Sequence, residues 1–446
     1  MAKTVLDLME LSKFGAFPTP AEGKYVGCVH FGDRSFLWRW DEVSPAGYET
    51  YFEAWQTAGA TLLHGYRLGD NRYALMELNG STVYLSYSAA PGILRLYAED
   101  AGASVAPDWE MGDYTPLVGD CGSILWQLPT DVKTTAQNGG MSYVLRVADG
   151  SFFIIDGGYG TDVEADNLLA FLKEKSSAVG IEKPVVAGWF FSHLHGDHIG
   201  CFQNLARRHA SEIDLKALYY NFPADHRCGP QNYGTRIETA FEELLGAWED
   251  VKVYRKLHTG MQFYIADVRV DVLFTHEDLY PATTDNYNDT STVIRLTAAG
   301  QKVLFPGDIM EPGSRVMERD IPAADMRADI VEFSHHGYEG ATKEFYDLVA
   351  APTVLWPMNI YGWQRPDPSG VFANWKRKTG SRLQAMPNAY ICEEAPYVKK
   401  IIAEGEEVEE LRLPYSPIGD KLPDYEAIHD RIAAKVAAEQ AAKEQA

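Results

Sequence analysis

Residues 184–192, PVVAGWFFS, form an apolar run with no polar break, and the chain then turns at once into HLHGDHIG, residues 193–200. A strand that is apolar on both faces fits the interior of a layered α/β sheet covered by helices on both sides. The preceding stretch agrees. SYVLRVADGSFFIIDGG, residues 142–158, reads as two strands around Asp149-Gly150, the second ending in Asp156 and two glycines. DVEADNLLAFLKEK, residues 162–175, reads as an amphipathic helix with Leu168, Phe171 and Leu172 on one face. Strand, helix, strand and then a charged loop is an α/β pattern. Active groups in such sheets gather in the loops beyond the strand ends, where the histidines stand.

Further along, FYIADVRVDVLF (263–274), STVIRLTA (291–298), QKVLFPGD (301–308) and DIVEFSHHG (329–337) read as strands, the last opening into another histidine-bearing loop. TRIETAFEELLGAWED (235–250) reads as a helix with Ile237, Phe241, Leu244 and Trp248 as its stripe. Near the start, Ser44 is placed to cap a helix with Pro45 in its first turn, and Tyr48, Phe52 and Trp55 follow at helical spacing. RYALMEL, TVYLSYS and ILRLYAE are then three strands, the first two joined by a tight turn at Asn79-Gly80. These form a small α+β module, assigned to residues 1–110; the first forty residues carry no clear period. A polar stretch around 100–115 reads as a linker. The segment 406–446 is an extension whose last part, from Asp424, is a helix with Ile428, Ile432 and Val436 spaced by four.

The formal charge of −23 repels phosphate backbones and counts against long nucleic acid as a partner. A small anionic substrate stays compatible with it. Five scattered cysteines, Cys28, Cys121, Cys201, Cys228 and Cys392, make neither a disulfide framework nor a zinc-ribbon spacing. With no signal-peptide core and no membrane-spanning run, the expectation is a cytoplasmic protein with no membrane partner.

Histidine accounts for 12 of 446 residues, so three in six positions are not a matter of composition. His193 and His195 alternate on an extended segment, so both imidazoles face the same way. Asp197 and His198 follow as the loop turns and can face a second position. Two cations held ~3.5–4 Å apart clamp an ester or phosphoryl group and generate hydroxide near neutral pH. Such a pair needs a bridging carboxylate and a closing ligand. LFPGDI offers Asp308 at the end of one apolar strand, and EFSHHGYEG offers His335 and His336 at the end of another. Three separate strand ends deliver metal-ligand residue types.

The pattern HxHxDH at 193–198, with Asp156-Gly157 before it and Gly307-Asp308 and His336-Gly337 after it, resembles the metallo-β-lactamase superfamily over about residues 118–400. The resemblance implies an α/β protein, an αβ/βα sandwich with the metal site along one edge, and a hydrolase domain over residues 116–405. It implies His193 and His195 on a first metal, Asp197, His198 and His336 on a second, Asp308 as the bridge, and Asp156 behind them holding the loop. One departure stands out. Where the superfamily has a third histidine for the first metal, this chain reads DNYNDTSTVIRL, with Asn288 or Asp289 in its place. That Asn-x-x-Ser pattern and the double histidine before glycine are similar to the branch holding the hydrolase domain of the competence protein ComEC and the phosphorylcholine esterases. The first metal is then completed by water or Asp289, or is absent, and His335 is an alternative to His336.

The expected function is a hydrolase with one or two divalent metal ions, in which metal-activated water, oriented by Asp197, attacks a small phosphoric monoester or diester. Neutral imidazoles suit zinc, while the carboxylates leave manganese or iron open. Two other classes compete: cleavage of a carboxylic ester, lactone or amide, and a non-catalytic scaffold with a vestigial site. A homo-oligomer is compatible with the sequence. His30, His64, His209, His258 and His429 read as hydrogen-bonded core or surface groups. His276 is a spare for the missing ligand, and His226 beside Cys228 is a substrate contact at best. Trp356, Tyr361 and Trp363 either wall the site or fill the core. Cys201 packs beneath the metal loop.

Overall fold

The computed structural model describes residues 17–31, 35–100, 116–119, 121–128, 140–223, 241, 243–248, 250–284, 286–298, 300–358, 382, 386, 388–391 and 397–401. The linker at 100–115, His226, Cys228, Tyr361, Trp363, Cys392, His429, the terminal helix and most of the expected helix at 235–250 lie outside the described residues. Of that last stretch, Phe241 is buried and Leu244–Ala247 forms a single 3₁₀ turn.

The first sheet has six antiparallel strands: β1 (Lys24–His30), β2 (Phe36–Asp41), β3 (Thr61–Leu68), β4 (Asn71–Leu78), β5 (Ser81–Ser88) and β6 (Ile93–Asp100), in the order β1-β2-β6-β5-β4-β3. Three of these were not evident in the residues. β2 is buried at every position but its last, so it shows no alternation. β1 and β3 are edge strands with register breaks at Tyr25–Gly27 and Leu62–His64, which erase the period of two. Helix α1 (Pro45–Thr57) covers one face, with Gly47 N donating to the Ser44 cap at 3.0 Å. Its buried stripe is Tyr48, Tyr51 and Trp55; Phe52 lies at the flank, stacked on Tyr48.

Two further sheets form the α/β sandwich. One runs β13 (Lys252–Tyr254), β12 (Ala217–Tyr219), β10 (Val185–Phe190), β9 (Phe152–Asp156), β8 (Ser142–Arg146), β7 (Ser123–Gln127) and β21 (Tyr397–Ile401), with β11 (Asp214–Leu215) beside β10. The other runs β14 (Gln262–Ile265), β15 (Val268–Phe274), β16 (Val293–Ala298), β17 (Gln301–Phe305), β18 (Ile330–Glu332), β19 (Thr353–Trp356) and β20 (Asn388–Ile391). Helices α2 (Asp162–Ser177) and α3 (Gly196–His209) share a core with the outer face of the first of these. In α2 the buried leucines are Leu168, Leu169 and Leu172, whereas Phe171 sits half-buried edge-on to Trp126. Helices α4 (Glu311–Asp320), α5 (Ala323–Met326) and α6 (Lys343–Val349) pack with the second. No helix among the described residues is long and apolar enough to cross a membrane.

The N-terminal sheet is not a detached module. Its second face, with Leu37, Tyr84 and Tyr97, shares one continuous core with the sandwich. Polar ties cross the same seam: Arg95 Nη2 to Asp320 Oδ2 at 2.8 Å, Asn71 Nδ2 to the Asp320 carbonyl at 2.7 Å, and Tyr84 Oη to the Thr259 carbonyl at 2.9 Å. His258 lies in this seam, bonded to Glu277 at 2.7 Å and stacked on Tyr84, as a core histidine should be.

Candidate metal centre

Every proposed ligand sits just beyond the C-terminal end of a strand. β10 ends at Phe190 and hands over to His193; α3 then starts at Gly196 with His195 at its N-cap. This places Asp197 in the first helical turn, where the helix dipole favours a carboxylate. Gly200 lets α3 lie against the loop after β9: a Cβ there would stand 2.3 Å from the Gly160 nitrogen. Cys201 is buried beside it, as expected.

Asp156, the last residue of β9, has φ of 53°. Its carboxylate accepts from Ser192 N, Ser192 Oγ and His198 Nδ1, each at 2.8 Å. With Nδ1 so engaged, His198 keeps Nε2 for the site, a carboxylate–histidine arrangement common at metals. His336 is fixed in the same way, Nδ1 donating to the Pro357 carbonyl at 3.0 Å. The loop after β18 reaches this position through three left-handed residues, His335, His336 and Gly337, with φ of 50°, 54° and 78°. Trp356 holds it from behind, its indole donating to the His336 carbonyl at 2.6 Å; it is a core residue and not a pocket wall. Backbone strain of this kind marks functional loops.

Asp308 Oδ2 stands at the centre. It is 3.4 Å from His198 Nε2, 3.7 Å from His336 Nε2, 3.8 Å from His193 Nε2 and 4.0 Å from His335 Nε2. Asp197 Oδ2 is 3.1 Å from His336 Nε2. Two groups of ligand atoms result, His193–His198–Asp308 and Asp197–His198–His336, each with all atoms within 4.8 Å of one another. His198 belongs to both. His195 belongs to neither, its Nδ1 lying 2.9 Å from His193 Nε2. His335 is the more exposed of the pair, and Asn288 Nδ2 donates to its Nε2 at 3.0 Å. Asp289 does not complete the first position: its Oδ1 accepts from Met310 N at 3.1 Å and Gly313 N at 3.2 Å, capping α4. His276 stands apart from both groups, 3.3 Å from Asn221 Oδ1.

The donor set suits a divalent cation on an observation independent of the motif. His198 Nε2, His336 Nε2 and Asp308 Oδ1 are buried without a well-aligned hydrogen bond, the nearest carboxylate to His336 Nε2 being that of Asp197 at 3.1 Å. Buried polar atoms left so are rare, and three around one point call for a shared ligand. Three imidazole nitrogens with carboxylate oxygens is chemistry that fits zinc.

Electrostatics agree. Burial, with His198 and His195 beside it, drives His193 well below the usual histidine range, so it is neutral and able to coordinate. Burial likewise lowers His195 and His335. Burial opposes the charge on Asp308 and Asp197, but His198 and His336 outweigh it and hold both carboxyls below their ordinary range. His198 is raised in turn: burial opposes its charge, and Asp308 and Asp156 outweigh that. Glu332, which accepts from Gly307 N at 2.9 Å, is pushed up to about 8 by burial and by Asp156.

Residues 136–355 match the family model of the Metallo-beta-lactamase superfamily. This segment is similar to that superfamily over just under half of the chain. Solved structures similar to the chain include the metallo-β-lactamase fold protein YhfI from Bacillus subtilis, at 14% identity and a TM-score of 0.38, covering 62% of this chain and 98% of that one. Zn²⁺-bound PqqB from Methylobacterium extorquens follows at 8% identity and TM-score 0.30, covering 47% and 71%. Human tRNase Z, short form, has 14% identity and TM-score 0.29, covering 52% and 90%. No curated protein matches the chain.

Three contributors were missed in the sequence. Ser192 links Asp156 to His193 Nδ1 at 3.1 Å. Ser291 lies 3.3 Å from the same nitrogen and accepts from Asp308 N at 3.0 Å. Glu332 is the third. Ser291 had a signal, as the serine of Asn-x-x-Ser; Ser192 and Glu332 had only their places beside histidine motifs.

Proposed function

We propose that the chain is a divalent-metal-dependent hydrolase of small phosphoric monoesters or diesters, with zinc as the resident ion and manganese or iron as substitutes. The observation that carries the reading is the convergence of three buried ligand atoms without a well-aligned hydrogen bond, His198 Nε2, His336 Nε2 and Asp308 Oδ1, from three strand ends. His193 and Asp308, with His195 beside them, would hold one ion; Asp197, His336 and the one free nitrogen of His198 would hold a second, with Asp308 between. When bound, the ions supply Lewis-acid polarisation and an acidified water. The chain supplies the rest. Asp197, kept ionised by His198 and His336 and 23% exposed on its side chain, would orient a water and take its proton. Asp156 and the Pro357 carbonyl keep His198 and His336 in the tautomer that presents Nε2.

The phosphoric class is supported by the Asn288-x-x-Ser291 pattern and the double histidine, both similar to the ComEC-like and phosphorylcholine esterase branch. The charge of −23 favours a small substrate over a polyanion. In this reading residues 116–405 carry the reaction and the N-terminal sheet braces them. The test is turnover of chromogenic phosphodiesters, phosphomonoesters, carboxylic esters and lactones before and after chelation, on wild type, Asp197→Ala and Asp308→Ala. Phosphoester turnover should vanish with chelator, return with zinc, and fall at least ~10²-fold in both variants. Turnover of lactones alone would reassign the substrate. Chelator-resistant turnover, or activity that survives both substitutions, would remove the mechanism.

A further inference from the structure

A cleft of about 350 Å³ opens beside the His335–His336 loop. Its walls come from the segment after Leu279, from the entry into α4 at Met310, and from Glu339 and Gly340 directly after the histidines. Asp289 also lines it, one residue beyond the Asn288 amide that holds His335. The cleft is therefore bounded by the same loop, 286–289, that holds His335.

Arg382 faces this cleft while only 6% exposed. Its guanidinium gives one hydrogen bond, from Nη1 to the Tyr338 carbonyl at 3.3 Å. Other buried arginines are compensated: Arg95 and Arg295 each meet a buried aspartate at 2.8 Å, Arg39 meets Asp41 at 2.7 Å, and Arg146 lies over the Trp126 ring. Arg382 forms no such pair among the described residues. Its acidic neighbours Glu311 and Glu344 are instead engaged by Arg315, and Glu339 is exposed at the rim. Burial pushes the guanidinium below its ordinary value, and Tyr346 and Glu339 offset this only in part.

We propose that this cleft is an anion subsite in which the Arg382 guanidinium receives an oxyanion of the substrate, a phosphate or a carboxylate, remote from the scissile bond. A planar guanidinium fork matches either oxyanion with two parallel hydrogen bonds, and withdrawal from water strengthens both. Asp289, Glu311 and Glu339 also line the cleft, so Arg382 is the one cation among its described lining residues and fixes where in it an anion can sit. The subsite deepens the hydrolase reading by naming a charged group on its substrate.

The test has a binding arm and a turnover arm. Inorganic phosphate and acetate are titrated calorimetrically onto the full-length, zinc-loaded chain, for wild type, Arg382→Gln, Arg382→Lys and Ala282→Glu. Ala282→Glu leaves Arg382 in place and sets a carboxylate in the same cleft, so it still reports if Arg382→Gln does not fold. Both Arg382→Gln and Ala282→Glu should weaken the tighter anion by about tenfold or more, and Arg382→Lys by less. The preferred anion tells phosphate from carboxylate. Affinities within about twofold of wild type in both variants overturn the subsite. So does a wild type that binds neither anion. In the turnover arm, the kcat/KM ratio of an ester bearing a remote carboxylate to its neutral counterpart should fall about tenfold in Arg382→Gln. Equal losses on both esters would make Arg382 only a brace for the Tyr338 loop and overturn the proposal. If no ester is turned over, the hydrolase reading fails while the anion titrations still decide the cleft.

Discussion

At the scale of single residues, the centre is governed by what stands behind the ligands. Asp156 points no free oxygen at the cation position, yet it sets the tautomer of His198 and anchors Ser192, which backs His193. Asp156→Asn should therefore lower zinc affinity by about 10–100-fold while the fold persists, read by competition with a chromophoric chelator. An affinity equal to wild type would show that His198 is oriented by something else. His335 and His336 should separate in the same assay: His336→Ala loses more, because its Nε2 is buried between the Asp197 and Asp308 carboxylates while that of His335 is already taken by Asn288. The ligand types were readable in the sequence because coordination demands particular side chains at short spacing. Asp289 could not be placed from the sequence, because whether a carboxylate faces a metal or caps the next helix is decided by a backbone turn. Ser192 and Glu332 act through backbone amides and neighbouring rings, and those contacts have no residue signature.

Elements bring these residues to one edge, and small residues let them approach. Gly200 lies on α3 against Gly160, where any Cβ would meet backbone. Gly200→Ala should push α3, and with it Asp197 and His198, away from the β9 loop; we expect a loss of about 1–3 kcal/mol in denaturant unfolding together with weaker zinc binding. Weaker stability with unchanged zinc affinity would mean that α3 shifts without moving the ligands. Uninterrupted or alternating strands such as β10 and β4 could be read directly. β1, β2 and β3 could not, since bulges or burial on both faces remove the period that marks a strand.

For the whole molecule, the seam between the N-terminal sheet and the sandwich is where stability and pH meet. Arg95 is buried between Asp320 and Asp278, so Arg95→Leu strands two carboxylates; unfolding should lose about 3–5 kcal/mol, partly restored by adding Asp320→Asn. A change inside ~1 kcal/mol would make the seam a passive contact. In the same seam burial alone would lower His258, but Glu277 and Glu99 outweigh it and raise it from 6.5 to about 10. Stability from this proton is complete below pH 6.5 and is lost as pH rises through about 10. Glu277, held down at about 2 chiefly by His258 against the opposing effect of burial, acts in the other direction: its share is present above 4.5 and is lost as pH falls through about 2. Wild type should thus melt lower at alkaline pH than near pH 6, and His258→Gln should flatten that fall; parallel melting curves would remove the charge from His258.

The central claim is that segments far apart in the chain, at 193–198, 308 and 336, hold divalent cations together. Calorimetric titration of zinc into the purified, metal-stripped protein tests it most directly. Wild type should take up one or two equivalents tightly, and Asp308→Ala should lose at least one of them while melting as a folded protein. No stoichiometric uptake by wild type, or identical uptake by Asp308→Ala, would contradict the account.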